Sequence, residues 1–339
     1  MQIALIISVL LVLALGLRPI RWNDAYLDKE TTSTINGLFI ILVFLSHFSQ
    51  YSSYMFNYIG QWLGQLVVVM FLFYSGYGCT AQYMTKGYSY LRTFPKKRIL
   101  STLVNFDIAV AIFVVVGLLL GKSFTLKQIA FSFVCWDSVG NSNWYIFAIV
   151  LCYSALWIVF AGVGAKVRKF DGGGLILQII LIFVVIGLSR VKESWWYDTM
   201  MSFGAGVAYA IHKKQIEPFV RRWYWAVLFG LATAFVAIPH LPLISRCHFA
   251  MFNMKSVVFA ILVVLFTMKL ELRCPVFAWC GKNLFPLYIY QRIPMLVFST
   301  IWPAAFSDWR SCIFCGLSAF VTVCIAQLYQ RFKYSGASK

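Results

Sequence analysis

The chain has 339 residues, of which 61% are hydrophobic and only 12% charged, and its mean hydropathy is +0.79. Because a soluble domain is about half apolar and about a quarter charged, this composition excludes a soluble enzyme, a secreted disulfide scaffold and a disordered protein. The formal net charge of +18 would suggest nucleic acid in a soluble protein. In a membrane protein such an excess of Lys and Arg is typical of the loops on the cytoplasmic side, so we expect no nucleic-acid partner.

The apolar residues form long continuous runs, which is typical of transmembrane helices of about 20 residues. They predict an all-α fold, a polytopic transmembrane helical bundle with about 10–11 transmembrane helices. The eleven candidate spans, in chain order, are about 2–17, 35–51, 59–80, 101–121, 143–163, 173–189, 199–211, 223–240, 256–270, 276–290 and 311–330.

Three of these spans need comment. The first resembles a signal peptide, but no basic segment precedes it and Gly16–Pro19 is a poor cleavage site, so we favour a retained helix. The seventh is short and rich in small residues. The tenth carries Lys282 and Pro286, so we expect it to be broken or tilted, as helices that line a cavity are.

We divide the chain into an N-terminal helix and loop (1–29), a membrane domain (30–332) and a tail (333–339).

The basic residues are distributed unevenly over the loops. Alternate loops hold 20 of the 29 Lys and Arg residues, the other loops hold 8, and Lys282 lies inside a span. The positive-inside rule makes the richer loops cytoplasmic, which predicts an N-terminus outside and a C-terminus in the cytoplasm. The nine cysteines are scattered and mostly within apolar runs, so we expect no disulfide framework and no metal site.

His47 is the most conspicuous polar residue inside a span, where ionisable groups are costly. It follows Asn36 by eleven residues, which places both side chains on one helix face about 16 Å apart. A histidine here could simply hydrogen-bond a neighbouring helix. It could also act as a general base, because neutral imidazole accepts a proton from a hydroxyl near neutral pH.

Three further motifs combine polar and apolar residues at the ends of spans. Ser75, Gly76 and Tyr77 end the third span, where close helix packing alone would explain the glycine. Lys96, Lys97 and Arg98 precede the fourth span, as topology anchors or as a binding site for a phosphorylated donor. Trp144 follows a polar segment and belongs to an aromatic girdle or to a site.

Taken in order, these motifs resemble acyltransferase family 3, a family of integral-membrane acyltransferases. Its pattern continues late in the chain with a Gly-x-x-Ser-like stretch and Tyr-x-x-His, which here is Gly281 to Tyr288 and Gln291. The resemblance covers about residues 30–330. Two positions depart from it: Asn36 replaces a basic residue and Gln291 replaces a histidine, and glutamine cannot shuttle protons.

The resemblance implies transfer of an acyl group, commonly acetyl, from a cytoplasmic acyl-CoA such as acetyl-CoA. The acceptor it implies is a hydroxyl of a cell-surface polysaccharide or of its lipid-linked precursor, at the bacterial inner membrane. His47 would be the base, and the other motif residues would bind donor or acceptor: Asn36, Ser75, Gly76, Tyr77, Lys96, Lys97, Arg98, Trp144, Tyr288 and Gln291. Partners are then acyl-CoA, a carbohydrate or glycolipid acceptor and membrane lipids.

Three other classes of membrane protein share some of these sequence features. A transporter or flippase of a glycolipid would also have many spans, a polar membrane histidine and a basic inner face. A glycan polymerase would be expected to carry a large outer loop, and the longest outer loops here have only about twenty residues. A structural membrane protein does not explain why His47 shares a face with Asn36.

Overall fold

The computed structural model describes residues 16–53, 64–162 and 170–335. Four elements of the sequence prediction lie outside these ranges: nearly all of the first span (2–17), the start of the third span (59–63), the basic residues Lys166, Arg168 and Lys169, and residues 336–339 of the tail.

Helices dominate the described residues. They are α1 (Lys29–Phe48), α2 (Val69–Lys86), α3 (Tyr88–Phe94), α4 (Ser101–Leu119), α5 (Leu126–Phe133), α6 (Trp144–Gly162), α7 (Phe170–Leu188), α8 (Met201–Ala237), α9 (Pro242–Ser245), α10 (His248–Lys269), α11 (Pro275–Lys282), α12 (Leu284–Tyr290), α13 (Arg292–Ile301) and α14 (Arg310–Ser335). Short 3₁₀ turns cover Gly64–Val68, Ser194–Trp196, Ile238–His240 and Pro303–Phe306, and a π-helix covers Pro95–Leu100. Two short strands, β1 (Leu17–Pro19) and β2 (Leu270–Leu272), pair antiparallel.

Within the described ranges, eight helical segments are long and apolar enough to cross a membrane. Helix α4 shows the pattern expected of a lipid-facing helix, because its exposed side chains are large, apolar and three or four residues apart: Val104, Ile108, Ile112, Val115 and Leu119. The opposite face of α4 buries Phe106, Val110 and Phe113. The chain is therefore an all-α, multi-pass membrane protein.

The predicted seventh and eighth spans both lie in α8, which is bent at Trp223 (φ −116°, ψ 26°). Near its start, the Met201 amide donates to Asn253 of α10 over 3.0 Å, and the Tyr224 hydroxyl donates to the Leu265 carbonyl over 2.9 Å. Beyond the bend, Phe235 lies back near the start of α10, 5.0 Å from the Lys255 ammonium. The chain thus reverses along α10 at Trp223, and the two predicted spans remain distinct.

The predicted tenth span is broken, as Lys282 and Pro286 suggested. It consists of α11 and α12, separated at Asn283, and α13 follows after Gln291. The Asn283 side chain donates back to the Trp279 carbonyl over 2.9 Å, which satisfies an acceptor at the end of α11.

The described chain divides into two compact units. The first contains the residues up to Val67, Asn105–Asn143 and the chain from Leu270 onward, and the second contains Val68–Val104 and Trp144–Lys269. In the first unit, β1 and β2 bring together the chain before α1 and the chain after α10, and the Arg273 guanidinium pairs with Glu271 over 2.9 Å.

In the first unit, α1 and α11 cross in direct backbone contact. A β-carbon on Gly37 would collide with the Phe277 carbonyl, and one on Gly281 would collide with the Ser33 carbonyl. Small residues permit this approach between membrane helices. Since Gly37 faces Phe277 and Gly281 faces Ser33, α11 runs antiparallel to α1.

The second unit contains the same kind of glycine contact where α2 crosses α8. A β-carbon on Gly76 would collide with the Phe203 carbonyl, and one on Gly206 would collide with the Phe73 carbonyl. Each unit therefore contains one helix pair locked by two reciprocal glycines. This explains Gly76 and Gly281 of the sequence motifs by packing, and Gly37, which follows Asn36, in the same way.

Candidate active site

His47 lies in the last turn of α1 and is buried, with 7% of its surface exposed. Its Nδ1 atom has no hydrogen-bond partner among the described residues. A buried imidazole nitrogen without a partner is costly for stability, and in an enzyme it is free to bind a substrate group. Asn36 lies three turns earlier on α1, half-buried, and its Oδ1 is also without a described partner.

The end of the motif late in the chain packs against His47. The Tyr288 ring of α12 lies 6.1 Å from the His47 ring, centroid to centroid, at an angle of 58°. Gln291 follows at the break between α12 and α13, is almost fully buried, and donates from Nε2 to the Tyr288 carbonyl over 3.0 Å. Its Oε1 has no described partner. The structure thus brings together His47, Tyr288 and Gln291.

Arg292, the first residue of α13, adds a cation to this cluster. It contacts Tyr51, which follows His47 by four residues, so the guanidinium lies in the same cluster as the His47 ring. Its Nε donates to the Tyr51 hydroxyl over 3.3 Å, and its guanidinium lies 5.6 Å from the centre of the Tyr51 ring. In the sequence, Arg292 is one of the eight basic residues in the loops that hold fewer charges. Its position directly after Gln291 was the one available signal.

An irregular segment between α5 and α6 forms another wall of the first unit near this cluster. Asn143 donates from Nδ2 to the carbonyls of Cys135 and Asp137, over 3.1 and 2.8 Å. Gly140 (φ +105°) lies against Leu296 of α13, and Ser142 of the same segment is buried. Irregular backbone among membrane helices is tolerated where protein or a cavity satisfies it.

A second cluster lies in the second unit and contains Ser75 and Arg98. The Ser75 hydroxyl approaches that of Tyr153 on α6, which is buried. Arg98 acts electrostatically on Tyr153, Tyr90 and the buried Cys79. Serine and arginine, separate motifs in the sequence, therefore meet around Tyr153, a residue that no sequence signal indicated.

The other predicted residues of the second unit lie around this cluster or apart from it. Lys96 and Lys97 are exposed on the π-helix that carries Arg98, and π-helical turns are frequent at functional sites. Tyr77 packs edge-on against Tyr209 with ring centroids 6.3 Å apart. Trp144 starts α6 and packs edge-on against Tyr145, with ring centroids 6.3 Å apart.

The comparison with protein families decides which activity this arrangement serves. The model of the acyltransferase 3 family, described as an acyltransferase domain, matches residues 34–329. The chain belongs to acyltransferase family 3. No curated protein and no solved structure matches it.

Membership of acyltransferase family 3 makes the chain a membrane acyltransferase that transfers groups other than amino-acyl groups. Such an enzyme needs an acyl donor and a hydroxyl-bearing acceptor. In the part of this family 3 chain that the structure describes, no group of three or more His, Cys, Asp or Glu side chains could hold a metal ion.

Proposed function

We propose that this family 3 enzyme is an O-acyltransferase, specifically an O-acetyltransferase. It moves the acyl group of a cytoplasmic acyl-CoA, acetyl-CoA in the simplest case, to a hydroxyl of a cell-surface polysaccharide or of its lipid-linked precursor. It works in the bacterial inner membrane as a multi-pass protein with its N-terminus outside and its C-terminus in the cytoplasm.

The observation that carries this proposal is the buried imidazole of His47 with its unpartnered Nδ1. A general base must reach the proton that it abstracts, and it gains from a site that excludes bulk water. His47 accepts the hydroxyl proton of the sugar as the hydroxyl oxygen attacks the thioester carbonyl. Transient attachment of the acyl group to His47 is a second route with the same residue.

The donor's negative charge favours entry at the basic π-helix. Coenzyme A carries several phosphate charges, and Lys96, Lys97 and Arg98 supply three adjacent cations. Arginine binds phosphate through paired donors and lysine as a point charge. All three side chains are exposed on this π-helix, so we assign the phosphate contact to Lys96, Lys97 and Arg98 together.

Mass spectrometry of the surface glycan, from cells with and without the gene, tests the proposal. An acetyltransferase adds the mass of one acetyl group to each modified sugar. Growth on isotope-labelled acetate should increase this added mass by the mass of the label. A transporter or flippase would change the amount of glycan at the surface and leave the mass of each sugar unchanged. If the sugar masses are unchanged and the amount of exported glycan changes, the proposal of acyl transfer is wrong and transport is the better explanation.

A further inference from the structure

The acyl transfer proposed above creates a negative charge that the enzyme must stabilise. When the hydroxyl oxygen bonds to the thioester carbon, the carbonyl electron pair moves to the carbonyl oxygen. The C–S bond then breaks, and coenzyme A leaves as a thiol with the proton that His47 had accepted. Preorganised donors at this oxyanion provide one of the largest contributions to catalysis of acyl transfer.

Arg292 belongs to the same cluster as His47, because its guanidinium contacts Tyr51, four residues after His47, and because it directly follows Gln291. Its Nε is occupied by the Tyr51 hydroxyl at 3.3 Å, and the Tyr51 ring lies under the guanidinium. These two contacts fix the plane of the guanidinium, which leaves its two Nη groups as donors in a set direction.

No described residue neutralises Arg292. Among residues 16–53, 64–162 and 170–335 it forms no ion pair with a carboxylate, and no side chain or carbonyl accepts from its Nη atoms. Arg310 in the same unit is different, because it holds Asp308 through contacts of 2.7–3.1 Å. Arg292 is half-buried and starts α13, where the positive end of the helix dipole disfavours a cation, so a negative charge bound there would be stabilised by both.

We infer that Arg292 binds the oxyanion of the tetrahedral intermediate and is a catalytic residue. The inference rests on the proposed function. It is carried by three features of one cluster: an Nδ1 on His47 and two Nη groups on Arg292 that have no partner in the described part of the chain, and the buried break at Gln291, from which α13 starts. His47 receives the proton and Arg292 stabilises the charge that the proton leaves behind.

The test measures initial rates of transfer from radiolabelled acetyl-CoA to the native glycan in membrane vesicles. The vesicles come from a deletion strain of the source organism that carries either the wild-type enzyme or one variant. Arg292→Gln should lower kcat by about 10²–10³-fold, the loss typical of one oxyanion donor, with little change in KM for acetyl-CoA. Arg292→Lys should retain part of the rate. In Arg292→Ala, added guanidinium at a non-denaturing concentration should restore activity, which a misfolded variant would not allow.

The matched control is Arg310→Gln, which removes an arginine from the same unit but leaves both clusters intact, and it should transfer at the wild-type rate. If Arg292→Gln keeps its kcat while His47→Ala loses activity, Arg292 is not the oxyanion group and the proposed function still stands. A rise in the acceptor's KM at unchanged kcat would also overturn the inference. If the wild-type protein transfers no label at all, the proposed function and the inference both fall.

Discussion

Two polar residues on α1, His47 and Asn36, lie at different distances from the proposed reacting atoms. The eleven-residue spacing separates them by about 16 Å along the helix, and the His47 ring lies 6.1 Å from the Tyr288 ring, centroid to centroid. The family pattern has a basic residue at position 36, but the asparagine here carries no charge. Asn36 is therefore too far from His47 to act on the same reacting atoms.

We predict that Asn36→Ala lowers the acyl-transfer rate by less than about tenfold, because loss of one neutral hydrogen-bonding group costs about 1 kcal/mol. The same vesicle assay with radiolabelled acetyl-CoA measures it beside Arg292→Gln. A loss as large as that of Arg292→Gln would show that position 36 takes part in the chemical step.

At this scale the sequence pointed to His47, Tyr288 and Gln291 but not to Arg292 and Tyr51. A histidine in an apolar run is visible because few ionisable groups lie in spans. Arg292 and Tyr51 are ordinary residues near the ends of spans, and they become part of a site only when the chain folds back after Asn283. Tyr153, which joins Ser75 to Arg98, is likewise one aromatic among many in its span.

Helix contacts explain why several motif residues are glycines. The sequence left open whether Gly76 has a chemical or a packing role. Its approach to the Phe203 backbone, and that of Gly281 to the Ser33 backbone, favour packing. In the first unit this crossing also sets where α12 starts, and so where Tyr288 meets His47.

Gly281→Val should therefore destabilise the enzyme by about 1–3 kcal/mol, the usual cost of overpacking, because the added carbons collide with backbone that cannot rotate away. The control is Gly316→Ala in α14, where a β-carbon meets nothing within 4 Å and helix propensity improves by up to about 1 kcal/mol. Thermal unfolding in detergent measures both. Equal stability of Gly281→Val and the wild type would contradict the observed crossing.

Span prediction worked for uniform helices and was incomplete where helices bend or break. Hydropathy locates membrane crossings, but it does not show that the polar stretch between the seventh and eighth spans stays helical. That stretch is rich in helix-forming residues and carries an i,i+4 pair, Lys213–Glu217, at 3.6 Å. Helix α8 consequently continues to a bend at Trp223 instead of ending in a loop.

For the whole molecule, the distribution of charge predicts orientation in the membrane. Cys312 offers a native probe, since it is exposed at the start of α14, on the side that the charge rule places outside. A membrane-impermeant maleimide should label it in spheroplasts, as read by mass spectrometry of the peptide that carries residue 312, because the half-exposed Cys247 is expected on the same side. Cys312→Ser should remove the label from that peptide. Labelling of Cys312 only after the membrane is opened would reverse the proposed topology.

The central claim for the whole enzyme is acyl transfer with His47 as the base. It is tested most directly by mass spectrometry of the surface glycan from a deletion strain that carries wild-type protein, His47→Gln or His212→Gln. Glutamine can hydrogen-bond but cannot accept a proton, and His212 is an exposed matched control outside both clusters. We predict acetylated glycan with the wild type and His212→Gln. With His47→Gln, expressed at the same level, acetylation should fall by about 10²–10⁴-fold; full acetylation by that variant would contradict the account.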